Sequence, residues 1–277
     1  MRQEGAGAPS GAPVVNAALC SITNGRVSLM SSFVAEFNLW LVLASYAIAT
    51  FGSLSGLLTS RNIPGPDGKI NYTWLTISAI MLGAIAVWCM HFVGMLAYQP
   101  GIPITYDTQI TLLSLVLPIV MMAGGLWAAY RWKRSLVALA VAAVIMGFGI
   151  AAMHYTGMMA MRVAADMTHE PGPVVASVII GVVASFAALY IVREFSGVIR
   201  YACAPIMGLA VCALHYTGMY GFNLIPVERD INYFQGAVTS QQMLFIIVIA
   251  TTVGILASTQ LVWWREERED RMRASHR

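Results

Sequence analysis

The chain has 277 residues, of which 58% are hydrophobic and 10% charged, and it carries a net charge of +3. An ordinary soluble domain is about 25% charged, so this composition excludes a soluble globular enzyme and identifies an integral membrane protein. The small positive balance calls for no nucleic-acid partner, because the basic residues sort by membrane side.

Residues 1–35 are rich in Gly, Ala, Ser and Pro. They lack the charged start, apolar core and cleavage site of a signal peptide, so they are expected to form a disordered extracytoplasmic tail. Seven apolar windows follow, at 38–58, 74–97, 110–130, 136–161, 174–192, 202–222 and 243–264. Each is close to the length of about 20 residues that a helix needs to cross roughly 30 Å of hydrocarbon. The connections, such as RNIPGPDGK and THEPGP, are short and broken by Pro, Gly and charge. The predicted fold is therefore all-α, one seven-helix membrane domain over 36–264 embedded in a lipid bilayer.

Trp263 and Trp264 end the last window as an interface anchor, and residues 265–277 form a short charged tail. Glu267 with Arg271 and Glu269 with Arg273 are i,i+4 pairs that favour a short helical extension. This tail has no room for a cyclase, phosphodiesterase, kinase or DNA-binding domain. Output then passes to a separate cytoplasmic protein, or the domain stands alone, or a longer protein has been cut.

Arg61, Lys69, Arg131, Lys133, Arg134, Arg193, Arg200 and the five arginines from Arg265 onward flank one side of the membrane; Arg2, Arg26, Arg162 and Arg229 flank the other. Positive charge stays inside. The N-terminus is thus predicted outside and the C-terminus in the cytoplasm. Cys89, Cys203 and Cys212 sit in apolar windows, as buried thiols do, and Cys20 is alone in the tail, so no disulfide framework is implied.

His91, His154 and His215 each stand about seven residues, or about 10 Å, inward from the outer end of the second, fourth and sixth helices. Their regular spacing makes the chain three copies of a two-helix unit plus a seventh helix. Two helices return the chain to its starting side, so the copies are parallel repeats whose equivalent side chains ring one axis. Four residues after each histidine comes Met95, Met158 or Met219, on the same helix face. Three residues after it comes Gly94, Gly157 or Gly218, small enough to admit a neighbouring helix. Met90, Met153 and Leu214 precede the histidines but point about 100° away.

Imidazole and thioether together suit copper, above all Cu(I), and three of each at one depth leave a coordination position for a small ligand. A histidine between helices can equally serve as a hydrogen-bond partner, and single Met and Gly residues as packing. Threefold recurrence of an ionisable group in the membrane favours function. Phe92, Tyr155 and Tyr216, and Val93, Thr156 and Thr217, are assigned to packing or support, Cys212 to a buried thiol, and His169 and His276 to solvated segments.

MHYTGM at 153–158, LHYTGM at 214–219 and MHFVGM at 90–95 resemble the motifs of the bacterial MHYT-domain integral membrane sensors. The resemblance covers about 36–264 and extends to YQPGIPITYD after the second helix. It implies a sensor of the cell inner membrane that binds copper through His91, Met95, His154, Met158, His215 and Met219; the sequence offers no nucleophile with a base, no paired carboxylates and no phosphate loop, so a non-enzymatic module is expected. It further implies sensing of a diatomic gas (O2, CO or NO) or of redox state near the outer face, with signalling to a cytoplasmic partner. Leu214 departs from the motif. A haem-binding or electron-transfer membrane protein, a copper transporter and a metallation factor are the rival readings, and a homo-oligomer is left open.

Overall fold

The computed structural model describes residues 36–65 and 67–275. The expected tail over 1–35, Cys20 and His276 lie outside the described residues. Among those described, seven helices are long and apolar enough to span a membrane. They are α1 (Leu39–Ser60), α2 (Tyr72–Ala97), α3 (Thr108–Arg131), α4 (Leu136–Met159), α5 (Pro171–Glu194) and α6 (Gly197–Tyr220), with α7 at Ser240–Ser275. The protein is a seven-span, all-α membrane protein, as its apolar windows predicted.

Local chemistry sets the helix starts. The Asn38 side chain accepts from the amides of Trp40 and Leu41, and that of Asp107 from Gln109 and Ile110, meeting donors that a helix N-terminus leaves free. Glu170 occupies the same place before α5, whose first residue is Pro171, where a missing N–H costs nothing. These three N-cap positions start the three repeats.

Two boundaries differ from expectation. α6 starts at Gly197 rather than 202 and is interrupted at Cys203, next to Pro205, which has no amide hydrogen to continue the ladder. α7 runs on through the supposed tail. Within it Glu267 pairs with Arg271 at 2.6 Å as predicted, but Glu269 pairs with Arg265 at 2.8 Å rather than with Arg273.

Burial of apolar surface cannot drive helices together in lipid, so close packing at small residues has to. α1 to α6 close into a ring in this way. Gly83, Gly147 and Gly208 bring the even helices against the backbone of Ile119 in α3, Val182 in α5 and Thr50 in α1. Those three partners all lie twelve residues after their N-cap. An added Cβ at Gly83, Gly147 or Gly208 would come within 2.9 Å of that backbone.

Gly83 precedes its histidine by one residue more than Gly147 and Gly208 do. The π-wound stretch Met81–Cys89 takes up that extra residue, since π winding uses i→i+5 bonds. Both the glycine crossing and His91 therefore stay in threefold register. α7 lies outside the ring against α2, with Gly254 facing Met81 and Ile85.

Short antiparallel strands close the end of the ring nearest the histidines. β1 (Glu36–Phe37) pairs with β2 (Tyr98–Gln99), β3 (Thr105–Tyr106) with β4 (Met161–Arg162), and β5 (Ala165–His169) with β6 (Phe222–Pro226). Each pair joins the start of one two-helix repeat to its end. β7 (Val238–Thr239), just before α7, adds to β3.

Candidate metal centre

His91, His154 and His215 converge on the axis of the ring, at most 1% exposed. Their Nδ1 atoms form a nearly equilateral triangle: 3.1 Å between His91 and His215, 3.2 Å between His154 and His91, and 3.2 Å between His215 and His154. Ring centroids are 5.0 to 5.1 Å apart, and the ring planes are 82° to 89° from one another. Among the described residues this is the one cluster of three His, Cys or acidic side chains spaced to hold a metal ion.

Glycine makes the triangle possible. An added Cβ at Gly94 would lie 2.3 Å from His215 Nε2, at Gly157 2.3 Å from His91 Nε2, and at Gly218 2.4 Å from His154 Nε2. The small residue of the motif thus cradles the imidazole from a neighbouring repeat, in one cyclic order. The sequence had suggested only close approach of a whole helix. None of the three Nε2 atoms has a hydrogen-bond partner.

Protons cannot satisfy this arrangement. Each Nδ1 either carries a hydrogen or presents a lone pair, so of three nitrogens at least two are alike. Two lone pairs or two hydrogens then face each other across 3.1 to 3.2 Å. A cation at the centre accepts all three lone pairs. That point lies about 1.8 Å from each nitrogen, the side divided by the square root of three, and imidazole–metal bonds of about 2.0 Å require movements of only a few tenths of an ångström. The donor set fits a first-row metal ion, and nitrogens this close leave no space for a porphyrin between them.

The thioethers are placed less specifically. Met95, Met158 and Met219 are buried at 0%, 0% and 3% exposure, one turn beyond the triangle, and Met95 also lines a cleft under the 98–104 loop. Cys212 packs with Ala49 and Met90 in a separate cluster, and Leu214 lies against Gly181, so both face neighbouring helices.

A supporting layer escaped the sequence reading. Ser45, Ser114 and Ser177 each lie seven residues after their N-cap and are fully buried. Tyr155 Oη meets Ser177 Oγ at 2.8 Å, and Tyr216 Oη meets Ser45 Oγ at 2.9 Å. The first repeat has Phe92, without a hydroxyl, and there the Trp88 indole donates to Ser114 Oγ at 3.0 Å. Every residue following a triangle histidine is thereby tied, directly or through Trp88, to the next repeat.

One ring from each repeat entry covers that layer: Tyr106 on Phe92 at 5.5 Å, His169 on Tyr155 at 5.5 Å and Phe37 on Tyr216 at 5.9 Å. His169 is therefore not the solvated residue expected. It also packs on Phe222, its Nε2 is buried without a partner, and burial holds its pKa below the ordinary histidine value. At the same level Asp107, which caps α3, pairs with Arg162. The two amides it accepts and that guanidinium hold its carboxyl below the usual range.

Comparison with known proteins follows the same repeats. The MHYT family model, described as a bacterial signalling protein N-terminal repeat, matches residues 85–142, 147–202 and 208–274. Each match joins a histidine helix to the helix after it, one helix out of phase with the unit closed by the strand pairs. The chain is 35% identical over 242 residues, 83% of its length, to the bifunctional diguanylate cyclase/cyclic di-GMP phosphodiesterase MucR of Pseudomonas aeruginosa, covering 34% of that protein. It is 30% identical to the cyclic di-GMP phosphodiesterase NbdA of the same species, over 74% of this chain and 27% of the relative. To the signalling protein YkoW of Bacillus subtilis it is 29% identical, over 66% of this chain and 24% of the relative. The chain thus spans about a third or less of these relatives. No solved structure matches it.

Proposed function

Because the chain belongs to the MHYT family of bacterial signalling repeats, a membrane sensory module, we propose that it holds one copper ion between His91, His154 and His215 and reports on a diatomic gas or on redox state. The observation that carries this reading is the Nδ1 triangle, which protons cannot pair. Met95, Met158 and Met219 supply soft donors that favour Cu(I) over harder ions. When bound, the metal supplies an open coordination position for O2, CO or NO and a one-electron couple. The chain's own part is to fix three imidazoles against glycine cradles, keep water out and hold the ring orientation through the serine–aromatic layer.

The output we assign is cytoplasmic. With basic residues inside, the triangle lies near the outer face of the inner membrane, and α7 runs from the strand cap to the cytoplasm. The names of MucR and NbdA make cyclic di-GMP turnover the output class to test first, whether in a separate partner or in a fused domain. Metal analysis of the purified protein, with X-ray absorption at the copper edge, tests the site. About one copper per chain with nitrogen ligands is expected. Replacing any one histidine by Ala should abolish nearly all binding, since members of one constellation act together. Retention of most of the metal in all three variants, with helices intact by circular dichroism, would falsify the shared site.

A further inference from the structure

A small cavity of about 40 Å³ lies one helical turn from the triangle, on the side away from the strand cap. Its lining keeps the threefold. Val87, Ile150 and Val211 each stand four residues before a triangle histidine, and Ser53, Met122 and Ser185 each stand fifteen residues after an N-cap. The cavity therefore sits on the axis, directly beneath the three imidazoles.

Its chemistry selects an apolar occupant. A buried water needs two to four polar partners, whereas cavities lined by aliphatic groups stay dry and take up xenon or similar apolar molecules. The two serine hydroxyls are the polar side chains of this lining. Ser185 is 2% exposed and its Oγ has no hydrogen-bond partner.

A second space, of about 750 Å³, opens between α3 and α4. Its rim includes Val120, Val141 and Ile145, each more than half exposed on the lipid-facing surface. Met146 borders both spaces and is the one residue they share. Its sulfur rests in the notch at Gly125, where a Cβ would come within 2.7 Å of Sδ. An unbranched thioether with three rotatable bonds moves between rotamers more readily than any branched side chain.

We propose that the axial cavity is a binding site for a small apolar molecule of diatomic size, which enters sideways from the bilayer between α3 and α4 and is admitted by rotation of Met146. The proposal rests on the gas-sensing reading for its purpose: it brings the ligand to the inner side of the triangle. Occupancy of the cavity itself needs no copper. Apolar gases are more soluble in hydrocarbon than in water, so the lipid side is where they are concentrated.

The experiment uses xenon on the metal-free full chain in lipid nanodiscs, with 129Xe NMR for exchange and anomalous scattering from pressurised crystals for position. Xenon is expected among Val87, Ile150 and Val211. Met146→Ala, which joins the two spaces, should speed exchange at least tenfold, and Met146→Phe should slow it by a similar factor. Val211→Leu, a milder filling of the cavity, should lower occupancy without closing the α3–α4 groove. Absence of xenon from the axial cavity overturns the site, and exchange indifferent to both Met146 variants overturns the route. An ion held by Met122, Met146 and Met207, the three methionines of the lining, in Cu(I)-soaked crystals would make the cavity a metal site and overturn the apolar ligand. Failure of copper to bind the triangle would sink the sensing reading and leave the xenon result standing.

Discussion

At the strand-capped end the three repeats share one plan of three imidazoles, three glycine cradles, three buried serines and three covering rings, with Trp88 standing in at Ser114 for the tyrosine of the other two and β7 added to one strand pair. At the opposite, basic end they do not. There α6 is interrupted at Cys203, and Arg200 is buried with donors to Tyr130 Oη at 3.3 Å and to the Val192 carbonyl. Arg61 pairs with Glu266 of α7, and Arg265 reaches the Asn62 carbonyl at 3.4 Å while lying over Trp74 at 5.5 Å. On the proposed reading, a central ion with equal bonds would need equivalent donors, which the symmetric end offers. A signal leaving through one helix would need a unique attachment, and α7 is held by unique contacts at the asymmetric end.

The strongest way to break this comparison is to spoil one cradle. Gly157→Ala would drive a methyl against His91 Nε2, and we expect a loss of about 1–3 kcal/mol, typical of overpacking, with copper affinity falling at least tenfold. Gly124→Ala, in α3 with nothing within 4 Å of its added Cβ, should be neutral or slightly stabilising, because Ala is the better helix former. Copper titration and thermal unfolding of both variants check the contrast; equal effects would show that position relative to the triangle is irrelevant.

Smaller effects probe the supporting layer. Tyr155→Phe or Tyr216→Phe removes one hydrogen bond, while Ser177 and Ser45 keep their bonds to the Val174 and Val42 carbonyls. A cost of about 1 kcal/mol each is expected in thermal unfolding. Phe92→Tyr should bring no matching gain, because Ser114 already receives the Trp88 indole. At the cap, Asp107→Ala should cost about 1 kcal/mol for the lost helix cap. The Asp107 carboxyl is depressed in the folded state, so its contribution is complete above about pH 4 and disappears as pH falls through the lower folded value. An acid melting series from pH 5 downward should show this step in the wild type and not in the variant.

The sequence made the membrane class, the seven spans and the three-histidine level legible, because each is a matter of composition or of spacing along one helix. The cyclic order was not, since it depends on which repeat lies beside which. Gly94, Gly157 and Gly218 were correctly singled out, yet what they face comes from another helix. The serines were findable: counting seven residues from each N-cap yields Ser45, Ser114 and Ser177, but a buried Ser in a membrane helix gives no apolar periodicity to notice. Likewise Met146 belongs to no motif, and only its place between two spaces distinguishes it. The strand pairs were hidden because strands of two to five residues are too short to show a clear alternation.

The smallest predicted effect isolates the one titratable ring among the three that cover the site. Phe37 and Tyr106 stay neutral across the physiological range, whereas His169, at the end of β5 and paired with Phe222, loses hydration on folding. Its folded pKa is lowered by burial, so the native state binds the proton more weakly than the unfolded chain does. The stability this gives is complete above about pH 6.5, the ordinary histidine value, and is lost as pH falls from there through the folded value. Partial exposure keeps the effect small, about one or two degrees in melting temperature. His169→Phe preserves the ring contacts with Tyr155 and removes the charge, so its melting temperature should stay level between pH 7.5 and 5 while the wild type falls. Parallel curves for the two proteins would mean that the third repeat is no more acid-sensitive than the other two.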